Sequence, residues 1–374
     1  MEGAAPSLPT ILHEWGRIGC VGFGGPPTHI TLLRELCVDR RRWLDAAEFE
    51  DAIAACNLLP GPASTQLAIY CAWRLRGLAG GVAGGLAFVV PGLALILVLA
   101  AVFLAGAPPA WIRGAAAGAG AGVAAVAVQA GLSLVPASRA RARSVLRWAG
   151  YALVGGVAAA TVGPWLVLVL LGCGLAETTL RARAPLLALP LFAVPTGGLG
   201  ALAWVAFKVG ALSYGGGFVI VPLMQPDAVH RDRWLSDGQF LNAVALGQVT
   251  PGPVVHTVAV VGYAAAGVGG GLLAAAVAFS PSFAFVLGGG RWFDVLRGSP
   301  HARAFLDGAG PAAIGAILGS AIPLADALGA WWQFVLLGVA AITLLALRRG
   351  VVPTLVGLGA VGAVLGATHA VAVS

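Results

Sequence analysis

Long apolar runs, interrupted at fixed places by glycine and proline, set the pattern of this chain. A first run covers about 11–33 and is broken near Gly22–Pro27, and an arginine-rich amphipathic stretch, Arg34–Trp43, follows it. Two short helical arms flank Pro60 between Asp45 and Leu75, each below the ~20 residues that a membrane-crossing helix needs. They predict a re-entrant hairpin. Further apolar runs near 78–105, 114–136, 146–161 and 163–180 complete a first half, with loops marked by Pro108, Pro109, Pro136, Gly163 and Pro164. Beyond a link from Arg181 to Pro195 the order recurs: a run near 200–224, a hairpin near 237–266, then runs near 268–288, 305–324, 330–347 and 351–370.

The recurrence is a repeat in register. Pro60, Gly61 and Pro62 fall opposite Pro251, Gly252 and Pro253 (251 − 60 = 191), and at that same offset Gly19, Arg40, Arg42, Trp43, Leu44 and Phe49 meet Gly210, Arg231, Arg233, Trp234, Leu235 and Phe240. Strict spacing across two halves predicts a duplicated transporter fold, with repeats over 1–190 and 191–374. Arginine placement bears on their relation. With each hairpin re-entrant, each half has five crossings, so the second half is inverted, and nearly all arginines fall on the cytoplasmic face, leaving Arg113, Arg231 and Arg233 outside. If each hairpin crossed once, the charges would divide far more evenly. The expectation is an all-α polytopic membrane protein of two inverted-topology repeats, each about five transmembrane helices plus a re-entrant Pro-Gly-Pro hairpin.

Composition agrees with a multi-pass membrane class. The chain is 59% hydrophobic and 10% charged, with a mean hydropathy of +0.91, more apolar surface than a soluble core can hide. Its 55 glycines suit close helix packing in lipid. The +7 net charge is almost wholly arginine, Lys208 being the only lysine, and reports topology; there is no nucleic-acid signature. Cys20, Cys37, Cys56, Cys71 and Cys173 lack CxxC spacing, which argues against a disulfide framework or a metal site, and no cofactor motif is present. The first ten residues lack a basic n-region, so no signal peptide is expected.

The breaks carry the candidate chemistry. A Pro-Gly-Pro cannot sit inside a regular helix, and irregular backbone at membrane depth is tolerated only where it is buried in protein or lines a wet cavity. A helix restarting there presents unpaired amides and about half a positive charge, an anion site. The side chains at hand are Asn57, Ser64, Thr65 and Gln66 from one copy, and Gln248, Thr250, His256 and Thr257 from the other. The plainer reading is a proline kink re-satisfied by neighbouring hydroxyls; two copies with polar flanks favour the site. Arg17 and Lys208, at equivalent positions within the first run of each half, are costly in lipid and point to an anion partner, with snorkelling as the alternative for Arg17. No carboxylate stands at an equivalent place in both halves to pair with them. Phe23, Gly24 and Gly25, and opposite them Tyr214, Gly215 and Gly216, supply a second break or a close helix crossing. Gly118–Gly122 follows no strand and reads as helix packing. Proton-carrying candidates are Glu14, Glu48, Glu50, Asp51 and His256, although a lone histidine is commonly structural.

These motifs together resemble the two-domain chromate ion transporter family: Phe23–Pro26, the segment Arg41–Leu44, Asn57–Gln66, Tyr214–Met224 and Gly247–Val254, in the family's order across both halves. The resemblance implies chromate export from the bacterial cytoplasm across the inner membrane, energised by the proton motive force, with sulfate as the natural competitor. It assigns functional roles to Phe23–Pro26, Asn57, Pro60–Pro62, Gln66, Tyr214–Gly216 and Pro251–Pro253. Thr257 opposite Gln66, and Gln248 opposite Asn57, depart from a symmetric site. A sulfate or other oxyanion carrier and an anion channel remain as alternatives; an enzyme lacks any motif to support it.

Overall fold

In the computed structural model, residues 6–57, 59, 61–104, 106, 108–182, 197–213, 217–289, 299–368 and 370 are described, and no strand occurs among them. The repeat boundary expected near 190 lies outside these residues.

The first run is not one interrupted crossing. Helix α1 (Leu8–Val21), capped by Ser7, stops at Gly22, and α2 (Pro26–Arg34) starts on a proline and continues as a π-helical turn, Glu35–Arg40. Were the two collinear, Glu14 and Arg41 would lie roughly 40 Å apart at 1.5 Å per residue. They form an ion pair at 2.7 Å, and Trp15 stacks on Trp43 at 6.4 Å. The chain therefore folds back at the glycines, and the span expected over 11–33 is a helical hairpin. In the second half α9 (Gly198–Leu212) and α10 (Ile220–Gln225, continued by a π turn over Pro226–Arg231) fold back likewise, bringing Lys208 to Asp227. The sequence-based count of ten crossings treated each of these segments as one span; with both folded back, an odd number per half no longer requires the halves to be inverted.

A second hairpin follows in each half. Helix α3 (Ala46–Cys56) and the start of α4 (Ala63–Phe103) flank the Pro-Gly-Pro break, and the pairing of Glu48 with Arg74 shows that the two arms run antiparallel. Eleven residues of α3 reach only about 17 Å. Beyond the hairpin the helix bends sharply at Arg76 and Gly77, where Gly77 takes φ 60° and ψ −153°, and doubles back so that Gly85 packs on Ile69. The counterpart is α11 (Asp237–Val249) with α12 (Thr257–Phe283), bent at Ala266 and Gly267, where Gly267 has φ 61° and ψ −154°. Left-handed backbone also recurs at Arg42 (φ 51°) and Arg233 (φ 54°), and each π turn ends with two amides on one carbonyl: Trp43 and Leu44 on Cys37, Trp234 and Leu235 on Ala228. The duplication thus extends to backbone geometry.

The later parts of α4 and α12 pack against each other antiparallel, Gly81 meeting Leu287 and Gly271 meeting Leu97, so that equivalent residues exchange partners as across a twofold axis. The remaining helices are α5 (Ala110–Ala121), α6 (Val123–Arg141), α7 (Val145–Thr161), α8 (Leu166–Ala182), α13 (Pro300–Asp326), α14 (Trp331–Ala341) and α15 (Val351–Ala367). They interlock the halves: α13 packs on α6, α7 and α8, and α5 on α15, where Gly114 and Gly118 lie against Gly362. Small residues let these backbones touch, which is how helices associate where water gives no drive. Five helical stretches are long and apolar enough to cross a membrane: Ala63–Phe103, Ala110–Arg141, Gly163–Arg181, Val254–Gly288 and Pro300–Asp326. The chain is an all-α, multi-pass membrane protein.

Candidate functional site

The four hairpin tips meet. The amide of Gly252 donates to the carbonyl of Gly22 at 3.0 Å, joining the second Pro-Gly-Pro break to the tip between α1 and α2. His29, on the first turn of α2, places Nδ1 3.3 Å from Ser64 Oγ on α4 and Nε2 2.9 Å from the Gly22 carbonyl. A Cβ on Gly61 would lie 3.2 Å from both the Gly210 carbonyl and Ser282 Oγ, and ones on Gly25 and Gly217 would stand 3.7 and 3.4 Å from the side chain of Val254. Each Pro-Gly-Pro break is therefore covered by helices of the other half.

Helix starts differ between mouth and tip. At the hairpin mouths Ser7, Asp45 and Ser236 cap α1, α3 and α11 with their side chains. At the tips α2 begins after Gly25, α4 after Pro62, and the 3₁₀ turn Val254–His256 that leads into α12 begins after Pro253, each without a side-chain cap. The uncapped starts of α4 and of the turn leading into α12 leave amides and the positive end of a helix dipole at the tips, whereas α2, opening on Pro26 and Pro27, has few amides to offer. Polar side-chain atoms without hydrogen bonds lie on these elements as well: Thr65 Oγ1, Ser213 Oγ, Gln248 Nε2, Ser282 Oγ and a ring nitrogen of His256, whose other nitrogen faces the Val89 carbonyl. All five residues are buried. Buried polar groups are normally satisfied, so these unpaired atoms make the tips the candidate place for a hydrogen-bonding guest.

Of the residues expected from sequence, Gly25, Gly61, Pro62, Ser64, Thr65, Gln66, Gln248, Thr250, Pro251, Gly252, Pro253, His256 and Thr257 are buried around these tips, while Phe23, Gly24 and Asn57 are exposed on them. Thr250 and Thr257 spend their hydroxyls on the carbonyls of Leu246 and Val254. Pro60, Tyr214, Gly215 and Gly216 lie outside the described residues. His29, Ser213 and Ser282 join the tips without having been expected from sequence. A signal existed for the first: His29 follows Gly25, and His256 follows Gly252, by the same four residues.

Arg17 and Lys208 require a correction, because each has a resident carboxylate. Lys208 pairs with Asp227, which also binds Arg231 at 2.6 Å, and Arg17 lies 3.4 Å from Glu14, which also binds Arg41. The repeat hid these partners, since Glu14 comes from α1 itself and Asp227 from the π turn after α10. Other acids at the mouths are likewise engaged, Glu48 with Arg74 and Glu50 with Arg34. A cleft of about 320 Å³ between α4, α5, α11 and α15 is lined almost wholly by apolar side chains, Asn242 excepted, and none of the orphaned groups lines it. The tips can therefore hold an anion through amides, hydroxyls and imidazole.

Comparison with known proteins identifies relatives over most of the chain. The chromate transporter family model matches residues 10–178 and 200–367. The chain is 32% identical over 332 residues to a chromate transport protein of Cupriavidus metallidurans, covering 83% of this chain and 80% of that one. It is 30% identical over 350 residues to a chromate transport protein of Pseudomonas aeruginosa (86% and 82%), and 28% identical over 337 residues to a probable chromate transport protein of Synechococcus elongatus (86% and 85%). No solved structure matches the chain.

Proposed function

The chain belongs to the chromate transporter family, and from that premise we propose that it is a secondary transporter exporting chromate from the cytoplasm across the bacterial inner membrane. The observation that carries the reading is the meeting of four hairpin tips, with their uncapped helix starts and orphaned side chains, at one buried place. Chromate is a tetrahedral dianion. Amides and hydroxyls at helix starts supply donors from several directions without a fixed cation that would hold it too long to be released. Outward movement is favoured by an inside-negative potential, at about 2.3 kcal/mol per charge per 100 mV, so the electrical part of the proton motive force drives export.

In this reading the halves are inverted-topology repeats whose hairpins are re-entrant from opposite membrane faces. The antiparallel contact of α4 with α12 supports inversion, and arms shorter than the ~30 Å hydrocarbon core support re-entrance. Arginine placement supports a cytoplasmic face bearing Arg34–Arg42, Arg74 and Arg76. Sulfate has the same charge and shape, and nothing at the tips distinguishes the central atom.

The test is radiolabelled chromate uptake into inside-out vesicles, with and without an energised membrane and with excess sulfate. Accumulation that an uncoupler abolishes is the expected result. Accumulation of sulfate but not chromate would replace the substrate, and equilibration without accumulation would indicate a channel.

A further inference from the structure

We infer that His256 is the protonatable group of the oxyanion site, taking up one proton as a dianion binds and carrying it across with the anion. The inference rests on the transport reading above and names the group that sets its charge. Three observations converge on this residue.

First, His256 is 1% exposed, and with one ring nitrogen facing the Val89 carbonyl the other has no hydrogen-bond partner, so it is free to receive a proton and donate it to a guest. Its ring stands edge-on to Phe279 at 5.3 Å, and a Cβ on Gly252 would lie 3.0 Å from it, which fixes the imidazole at the second Pro-Gly-Pro break. Second, the other candidates are engaged. Glu14, Glu48 and Glu50 are held by arginines, Arg17 and Lys208 by carboxylates, and Asp51 is exposed on α3 with an interaction of its own, so none of them brings free charge to the buried tips. Third, the surroundings of His256 contain little that titrates. Helix α4 presents Val89 and Gly92, α12 presents Phe279 and the break presents Gly252; among the described residues the one titratable neighbour acting on it is His29. His29 itself has one nitrogen on the Gly22 carbonyl and the other facing Ser64, so its ring is already engaged.

An imidazole placed this way is neutral in the empty site and becomes cationic beside a dianion, because the opposite charge supplies what apolar walls do not. The proton enters from cytoplasmic water with chromate and leaves with it outside. The translocated unit then carries one net negative charge. At equal pH on the two sides, a chromate gradient of about tenfold balances each ~59 mV of potential, whereas a bare dianion would reach about a hundredfold.

The experiment uses the full-length protein in detergent at pH 8, where free chromate is the dianion, in weakly buffered solution with a pH indicator. Wild type is expected to take up about one proton per chromate bound. H256Q, with H256N as a second variant, should bind more weakly and take up none, while H301Q, at an exposed histidine outside the site, keeps the proton. Chromate binding without proton uptake by wild type, or uptake by a folded H256Q or H256N equal to that of wild type, overturns the role of His256 and leaves the transport reading intact. Absence of chromate and sulfate binding overturns both.

Discussion

Lys208 of α9 and Asp227 of the following π turn meet as an ion pair shut off from solvent, the two side chains being 2% and 0% exposed. Asp227 also accepts Arg231, making a cation–carboxylate–cation triad. Repeat-equivalent Arg17 has its own triad with Glu14 and Arg41, but there the two arginines are about half exposed. Both triads clamp a first hairpin shut across its arms.

Removing one partner of the buried triad leaves charge stranded in an apolar interior. Asp227→Ala should destabilise the protein by roughly 3–5 kcal/mol, seen as a lower unfolding temperature in detergent, and Lys208→Met combined with Asp227→Leu should recover most of it. Glu14→Ala, in the exposed triad, should cost about 1 kcal/mol or less. Equal losses in the two triads would contradict this difference.

Orphaned hydroxyls predict the reverse relation between stability and transport. Replacing a buried unsatisfied hydroxyl with hydrogen is neutral or favourable for folding, so Ser213→Ala and Ser282→Ala should leave stability unchanged or raise it by ~1 kcal/mol. Both should weaken apparent chromate affinity by about three- to tenfold, one lost hydrogen bond each. Variants that unfold more readily yet transport normally would mean that the hydroxyls serve packing.

Three glycines with left-handed backbone separate tip geometry from simple bending. Gly61 and Gly252 have φ 120° and 95° with neighbours within 3.2 and 3.0 Å of an added Cβ, whereas Gly77 has φ 60° and open space. Gly61→Ala and Gly252→Ala should reduce transport at least about tenfold at equal expression, since strain and collision both displace the tip. Gly77→Ala should cost about 1–2 kcal/mol of stability and preserve transport.

The two hairpins of the first half are tied by Trp15, whose Nε1 donates to the Ala68 carbonyl at 2.8 Å in a fully buried contact. Trp15→Phe leaves that carbonyl without the bond and should cost about 1–3 kcal/mol in thermal unfolding, with chromate affinity little changed. A fall in affinity without loss of stability would place Trp15 in the site instead.

Membrane class, duplication and the positions of the paired glycine and proline breaks were legible in the sequence, because each is a local property, whereas the break at Gly122 fell inside a run expected to be continuous. Apolar runs report the solvent, Pro-Gly-Pro stops a helix wherever it occurs, and an offset of 191 residues needs no coordinates. The direction the chain takes after a break is not local. Gly22–Pro27 permits a kink or a reversal with equal ease, and the choice fell to contacts far along the chain, Glu14 with Arg41 and Trp15 with Trp43. The repeat, a reliable guide to elements, misled about charge, since Arg17 and Lys208 found carboxylates that are not equivalent. His29 and Ser282 joined the site only because separate hairpins bring their tips to one place. Sequence alone therefore determined where the paired breaks fall, and only the tertiary structure decided what those breaks face, since burial and pairing are properties of distant segments brought together.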